Sequence, residues 1–192
     1  MREPRREAIL EAACRVVGRV GIDRLRMSDV AAEAGVSTAL VHYYCTTRAD
    51  LLTQAFRYAD ERADAIERRI GDDLPAAERI ERLLVVYLDD ESEIYESWIL
   101  WREMWNHALF DPQLRPSLEE SYNGWVDGLV EIVQSGQADG SIPSSVDGET
   151  AAWRLTAFVE GLGPLMLFGM LDRDRWRELI KGAVALELGQ AP

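Results

Sequence analysis

Cysteine is scarce in this chain of 192 residues, which has only Cys14 and Cys45 and no C-x-x-C pair. Two cysteines at this spacing predict neither a disulfide framework nor a zinc site. The simpler expectation is two small, buried, apolar side chains in a reducing compartment. Long hydrophobic runs are also missing. The most apolar stretch, residues 161–171, is shorter than the roughly 20 residues that span a bilayer. Residues 1–7 lack the apolar run of a signal peptide, so we expect a cytoplasmic protein without a membrane partner.

The motifs of common enzyme classes are absent as well. The sequence contains no G-x-S-x-G, H-E-x-x-H, P-loop or G-x-G-x-x-G pattern. Only His42 and His107 could act as bases near neutral pH. Pairs of carboxylates are frequent, but chance produces them in so acidic a chain. We therefore expect no catalytic residue, no metal and no cofactor, and a helical enzyme is the less favoured alternative.

Positive charge is rare overall but unevenly distributed. The net charge is −13, yet residues 1–50 hold eight arginines and seven acidic residues. The other 142 residues hold 13 basic and 27 acidic ones. Phosphate contacts are made by individual side chains on a local surface, so the first segment could bind nucleic acid. The acidic remainder would repel DNA and help to orient such a complex.

Helical periodicity dominates what is present, and no strand-length alternation of β-branched residues stands out. Gly21 and Gly35 follow periodic segments and are expected to end helices. Five residues with short oxygen-bearing side chains are expected to be N-caps: Ser28, Ser37, Thr47, Asp147 and Asp172. The pattern predicts an all-α protein of about nine helices.

Residues 28–45 predict a helix-turn-helix, with Gly35 in the turn between two short helices. One set of residues is expected to be buried: Val30, Ala31, Ala34, Val36, Val41 and Cys45. Another set would face outward, wholly or in part: Thr38, Ala39, Leu40, His42 and Tyr43. In a helix-turn-helix the second helix lies in the major groove of DNA, so this outward set would be the contact surface.

Residues 5–52 resemble the DNA-binding domain of the TetR family of bacterial transcriptional regulators. The matching segments are 6–13, 21–22, 27–37 and 38–52. The remaining helices resemble the family in number and length, and their acidic, Trp-rich arrangement is similar to the BetI-like branch. The resemblance implies a three-helix helix-turn-helix domain over residues 1–50. It also implies a larger helical domain over residues 51–192 that binds a small molecule and dimerises.

The resemblance further implies a DNA-binding role for nine residues: Arg26, Ser37, Thr38, Ala39, His42, Tyr43, Tyr44, Thr47 and Arg48. Thr38, Ala39 and His42 would lie at base edges, and Tyr43, Tyr44 and Arg48 would hold phosphates. Ser37 and Thr47 would cap helices and touch the DNA backbone, and Arg26 could add a phosphate contact. Three of the positions that differ from the family's usual residues stand out: Arg26 in place of Thr, His42 in place of Tyr, and Cys45 in place of Phe.

A stripe of aromatic residues marks the second part of the chain. Tyr95, Trp98, Trp101 and Trp105 are three, three and four residues apart and share one helical face. They could be core, or they could line a ligand cavity together with Trp125; stripes of this kind are more often core. If Glu103 or Glu160 turned inward, a cationic ligand could lie against the rings.

Two apolar helical faces near the C-terminus are candidates for a homodimer interface. Their residues are Leu155, Phe158, Val159, Leu162, Met166, Trp176, Leu179, Ile180 and Val184. The alternative is that these faces complete the core of a single subunit. A dimer would place two recognition helices about 34 Å apart on palindromic DNA. We therefore expect a ligand-responsive transcriptional regulator, in the commonest mode of the family a repressor, with a ligand-independent DNA-binding module as the alternative.

Overall fold

The computed structural model describes residues 4–68, 70, 73–86 and 92–189; for residues 66, 67 and 92–97 only the backbone is described. Over these ranges the chain forms nine α-helices and no strand, which confirms the all-α prediction. The helices are α1 (Pro4–Val20), α2 (Met27–Glu33), α3 (Thr38–Tyr44), α4 (Arg48–Glu67), α5 (Ala76–Val86), α6 (Ser92–Ala108), α7 (Arg115–Asp139), α8 (Gly148–Leu167) and α9 (Arg173–Glu187). None of these described helices is long and apolar enough to cross a membrane.

Four of the five predicted N-caps are confirmed, each accepting a hydrogen bond from the amide three residues further on: Ser37, Thr47, Asp147 and Asp172. The prediction for Ser28 is wrong. Helix α2 begins at Met27, and Arg26 occupies the cap position without a capping side-chain bond. The Ser28 hydroxyl instead lies 3.4 Å from the Asp29 carboxylate, inside the first turn.

Glycines end the first two helices as predicted. Gly21 has φ 80° and Gly35 has φ 65°, backbone conformations that side chains with a Cβ rarely adopt. After Gly21 the chain forms a short 3₁₀ turn, η1 (Ile22–Arg24), before it enters α2. A second 3₁₀ turn, η2 (Pro112–Leu114), precedes α7. Neither 3₁₀ turn was expected from the sequence, because a single turn is too short to show a period.

The chain divides into two compact units. The first comprises residues 1–66 and 91–121, and the second comprises residues 67–90 and 122–192. The first unit includes α6 because that helix packs on α1. The predicted boundary at residue 50 separates DNA-binding from ligand-binding segments and stays a prediction about function.

The core of the first unit joins the N-terminal helices to α4 and α6. Ile9, Val30 and Val41 are fully buried, and so are Leu51 and Leu100. Burying a side chain of this size stabilises a fold by about 1.5–3 kcal/mol. Because the same core contains residues of α3 and α6, the orientation of the helix-turn-helix is fixed by packing within this unit.

The second unit has its own core, in which α5 and α8 both pack on α9. Trp176 and Ile180 lie on the buried face of α9, at 1% and 0% exposed. Helix α7 passes close to residues of this core: a Cβ added at Gly136 would lie 2.7 Å from the Ala76 Cβ and from Ile142 Cδ1. The glycine is therefore required there for close packing.

Candidate nucleic-acid interface

The turn between α2 and α3 is closed by backbone hydrogen bonds. The Val36 amide donates to the Ala31 carbonyl at 2.9 Å, and the Gly35 amide donates to the Ala32 carbonyl at 3.2 Å. Two residues on the inner side, Val41 and Cys45, are 0% exposed. Burial also raises the pKa of Cys45 to about 11, so its thiol stays protonated as part of the core. Helix α3 is thus held from one side only.

The outer side of α3 is free of contacts with the core. Thr38, Ala39 and His42 are exposed, and Tyr43 is 77% exposed. Leu40 is half-buried, because its side chain packs partly on the core. Four residues of the predicted outward set are therefore exposed, and Leu40 faces outward only in part. This surface offers hydroxyl, imidazole and phenol groups on a short, rigid helix.

Tyr44 has a different environment from Tyr43. It is partly buried against the core, and its ring meets the Tyr43 ring edge-on at a centroid distance of 5.1 Å. Its carbonyl accepts a hydrogen bond from Gln54 Nε2 at 3.1 Å. Tyr44 therefore supports Tyr43 from the side of α4, and packing is a large part of its role.

The start of α4 is fixed by a reciprocal cap. The Thr47 hydroxyl accepts the Asp50 amide at 3.0 Å, and the Asp50 carboxylate accepts the Thr46 amide at 2.8 Å. The first bond satisfies an amide of the first turn that a helix start leaves without a partner, and the second fixes the residue before the cap. Thr47 and Arg48 are exposed and follow α3 closely in the sequence. The cap therefore fixes the backbone from which these two side chains extend.

The two predicted arginine contacts differ in their surroundings. Arg26 is exposed at the start of α2. The Arg48 guanidinium donates to the Ile22 carbonyl of η1, a contact within the protein that the sequence did not suggest. Arg48 therefore has a structural role as well, and a phosphate contact would use its remaining N–H groups.

Ion pairs neutralise the acidic residue nearest the turn. Glu33 at the end of α2 accepts hydrogen bonds from Arg15 Nε at 3.0 Å and from Arg19 Nη2 at 3.1 Å. The hydrogen bonds from Arg15 and Arg19 also lower the pKa of Glu33. These pairs link α1 to α2 and reduce the repulsion that this carboxylate would exert on a polyanion.

The aromatic stripe of α6 splits between core and accessible positions. Trp98 is 4% exposed and packs as core, with the Arg102 guanidinium 5.5 Å from its ring centroid. Trp101 and Trp105 stack with centroids 5.3 Å apart, and Trp105 is 42% exposed. The side chain of Tyr95 lies outside the described residues. Trp125, in the second unit, donates from Nε1 to the Thr156 hydroxyl at 3.0 Å.

A chain of hydrogen bonds leads from the stacked indoles to a carboxylate that the sequence did not single out. Trp101 Nε1 donates to the Ser121 hydroxyl at 3.3 Å, and that hydroxyl donates to Asp60 Oδ1 at 2.6 Å. Burial raises the pKa of Asp60; the Ser121 bond opposes this, and the charges of Asp64 and Glu120 add to it. A cation beside Asp60 would relieve this unfavourable environment.

Glu103, one of the two carboxylates that could have turned toward the rings, contacts the backbone of η1. Its carboxylate Oε2 accepts the Ile22 amide of η1 at 2.9 Å. Glu103 therefore holds the backbone next to the helix-turn-helix. Within the described part of the first unit, the carboxylate linked to the stacked indoles is that of Asp60.

The predicted dimer residues also divide into two groups. Five are almost fully buried within one chain and cannot add contact surface to a partner: Leu155, Val159, Trp176, Ile180 and Val184. Their assignment to the interface is corrected to core. Four are half-buried and reach the surface: Phe158, Leu162, Met166 and Leu179. Other exposed positions lie beside them: Trp153, Ala157 and Gly161 on α8, and Gly182 and Leu186 on α9.

Comparison with known proteins identifies both parts of the chain. Residues 9–55 match the family model of bacterial regulatory proteins of the tetR family, and residues 76–189 match that of the C-terminal region of BetI-type transcriptional repressors. The regulator PksA of Bacillus subtilis is 26% identical over 184 residues, covering 93% of this chain and 87% of PksA. The regulator BetI of Agrobacterium fabrum is 30% identical over 132 residues, covering 62% of this chain and 64% of BetI.

Solved structures agree with these matches. A TetR-family regulator from Rhodococcus sp. is 33% identical with a TM-score of 0.87, covering 96% of this chain and 98% of that one. A transcriptional regulator from Saccharomonospora viridis, in complex with choline, is 28% identical with a TM-score of 0.83, covering 92% and 93%. These proteins are transcriptional regulators and not enzymes. Because a family model matches more than half of its length, the chain belongs to the TetR family of bacterial transcriptional regulators.

Proposed function

We propose that the protein is a homodimeric repressor that binds a palindromic operator and leaves it when a small cationic molecule binds. One observation carries the DNA-binding surface: Val41 is completely buried on the inner side of α3, whereas Tyr43 is 77% exposed on the outer side. A helix anchored in this way can enter a groove without any change in the core. Thr38, Ala39 and His42 then face the bases.

The backbone contacts surround that helix. Tyr43 and Tyr44 would donate hydroxyl hydrogen bonds to phosphates, and Ser37 and Thr47 lie at the two helix starts that flank the groove. Arg26 and Arg48 would supply the positive charge. Phosphate contacts position the protein, and base contacts give specificity. Substitutions at the phosphate-contacting residues should therefore weaken binding to all sequences, whereas substitutions at the base-contacting residues should change sequence preference.

A homodimer would use the accessible residues of α8 and α9. A Cβ added at Gly161 or at Gly182 would meet nothing within 4 Å in a single chain. Flanking apolar groups are exposed or half-buried: Trp153, Phe158 and Leu162 on α8, and Leu186 on α9. Small residues among large apolar ones allow two helices to approach closely, and a two-fold axis there would pair two copies of α3.

The effector site that we propose in the first unit consists of Trp101, Trp105 and Asp60. Aromatic faces attract cations, and a partly buried carboxylate supplies the opposite charge. The choline complex of the S. viridis regulator supports a cationic effector. Asp60 lies on the same helix as Arg48, 12 residues further on, which is about 18 Å at 1.5 Å per residue.

Release of DNA would follow from a shift between two arrangements of this helix. The effector would favour an arrangement in which the two copies of α3 no longer match the operator spacing. Because α4 carries Arg48 at one end and Asp60 further along, a movement at the effector site reaches the DNA-binding surface directly. A ligand-independent module would show DNA binding without this coupling.

The DNA-binding role is tested by selecting duplexes from a random pool with the purified protein and measuring affinity by fluorescence anisotropy. Tyr43→Phe and Arg48→Ala should weaken binding to all duplexes, whereas Thr38→Ala should change sequence preference by about 1–3 kcal/mol per base pair. Arg82→Ala on α5 and Ser144→Ala are the matched controls. Unchanged binding in all three test variants would refute the assigned surface.

The effector class is tested with choline as the probe. Titration calorimetry should show binding to the wild-type protein and a loss of about tenfold or more in Asp60→Asn, since the variant lacks the charge. The same titration in the presence of bound duplex should release DNA. Choline binding that is unaffected by Asp60→Asn would place the site elsewhere, and DNA binding that no cation alters would favour the ligand-independent module.

A further inference from the structure

The turn η1, which enters the helix-turn-helix, is held by three polar side chains from helices distant in sequence. Glu103 on α6 accepts the Ile22 amide at 2.9 Å, and Arg48 on α4 donates to the Ile22 carbonyl. His107, one turn after Glu103, places its Nε2 3.0 Å from Asp23 Oδ1. The amide and the carbonyl of Ile22 and the carboxylate of Asp23 all have partners, although η1 has only three residues.

His107 is flanked by acceptors on both ring nitrogens. Its Nδ1 lies 2.9 Å from the Glu103 carbonyl oxygen, and its Nε2 faces the Asp23 carboxylate. A carbonyl oxygen and an ionised carboxylate can only accept hydrogen bonds. A neutral imidazole donates from one nitrogen only, whereas the imidazolium donates from both. The geometry therefore suits the protonated ring, and loss of the proton breaks one of the two bonds.

We propose that Asp23, Glu103 and His107 form a proton-dependent clamp that fixes η1 while His107 carries two protons, so that operator affinity decreases as the pH rises. The clamp pre-organises the entry to α2, and pre-organised contacts bind more tightly because less freedom is lost on association. The effect of the clamp on operator affinity rests on the proposed function, whereas the hydrogen bonds that form the clamp do not depend on it.

Electrostatics agree with this geometry. Burial acts to lower the pKa of His107, but the hydrogen bonds to Asp23 and to the Glu103 carbonyl, with the charges of both residues, raise it overall. The His107 hydrogen bond lowers the pKa of Asp23, with a smaller contribution from the Arg48 charge. The charged groups facing His107 are thus Asp23 on η1 and Glu103 on its own helix.

The sign of the pH dependence follows from these directions. A histidine whose pKa is raised by folding contributes stability that is complete below its ordinary value of about 6.5 and lost as the pH rises through the folded value. The lowered pKa of Asp23 gives a contribution that is present above about 3.9 and lost at more acid pH. The clamp is strongest between these limits and opens on the alkaline side of 6.5.

The clamp is tested by proton NMR of the full-length protein, which has two histidines. His42→Gln assigns the two Cε1–H resonances. In wild-type protein the His107 resonance should titrate above pH 6.5, and Asp23→Asn should lower its midpoint by about 0.5 pH or more. Asp23 is 86% exposed, so this variant should fold normally. A His107 midpoint that Asp23→Asn leaves unchanged would overturn the proposal.

Amide exchange gives a second reading at the turn itself. The Ile22 amide should be protected from exchange at pH 6 in wild-type protein and several-fold less protected in His107→Gln at the same pH. The glutamine side chain can replace only one of the two hydrogen bonds that the His107 ring makes, so η1 is held less firmly. The Val41 amide serves as the internal reference. Equal protection of Ile22 in both proteins would contradict a role for His107 in holding η1.

The effect on DNA is measured with a duplex selected by the wild-type protein. Between pH 6 and pH 8.5 wild-type affinity should decrease about fivefold more than that of Asp23→Asn. Both proteins carry His42, so any contribution of that residue cancels in this ratio. Equal pH dependence would remove the clamp's influence on affinity. Absence of binding at every pH would refute the proposed function, and the NMR and exchange results would still decide on the clamp.

Discussion

The outer surface of α3 and the paired surface of α8 and α9 show how differently two helical faces are encoded. On α3 the buried side is apolar and the exposed side is polar, so Val41 and Tyr43 lie where the period predicts. On α8 and α9 the exposed side mixes apolar and charged residues, so polarity separates it less clearly from the core side. Leu155 is core at 1% exposed, whereas Phe168, one residue beyond the same helix, is 75% exposed. Periodicity separates core from contact surface only when the two sides differ in polarity.

The largest test of this contrast removes a core residue that the sequence had assigned to the interface. Trp176→Ala should lower the free energy of unfolding by about 3–5 kcal/mol, because a side chain that is 1% exposed leaves a large cavity. Leu186→Ala, at 79% exposed, is the matched change on the accessible side and should leave monomer stability nearly unchanged.

The measurement is denaturant unfolding at several protein concentrations, since dimer dissociation makes apparent stability concentration-dependent. Equal losses in the two variants at low concentration would show that the division between core and surface on α9 is wrong.

A second test breaks the proposed interface without touching the core. Gly161→Arg should raise the dimer Kd by about 30-fold or more, corresponding to about 2 kcal/mol, because a charged side chain would enter the helix contact. The monomer should keep its fold, since a Cβ there meets nothing within 4 Å.

Gly124→Arg is the control, because Gly124 is a helical glycine of α7 with equally open surroundings. Sedimentation velocity measures both variants. An intact Gly161→Arg dimer, or equal dissociation of the two variants, would contradict a contact centred on Gly161.

The smallest expected effect compares two serines that looked alike in the sequence. Ser37→Ala should cost about 1 kcal/mol, because its hydroxyl caps α3 by accepting the Leu40 amide at 3.2 Å. Ser28→Ala should cost less than about 0.5 kcal/mol, since Ser28 lies inside the first turn of α2 and caps nothing. Thermal unfolding of both variants decides; a larger loss for Ser28→Ala would reverse the assignment of the caps.

Local signals account for what the sequence revealed. Apolar spacing, glycine stops and short polar caps determine the nine helices seen in the described ranges and the exposed side of α3, because each acts over four residues or fewer. Asp60 was missed because its environment depends on Ser121 and Trp101, which are far away in the sequence and near only after packing. The contact of Glu103 was missed for the same reason, since its partner Ile22 is 81 residues away.

The central claim is that the outer surface of α3 contacts DNA. Hydroxyl-radical footprinting with mass spectrometry tests it directly, by comparing oxidation of Tyr43 with that of Phe110, which is 89% exposed in the turn two residues after α6. With a selected duplex bound, Tyr43 should become protected while Phe110 is oxidised at an unchanged rate. Equal oxidation of Tyr43 with and without the duplex would contradict the account.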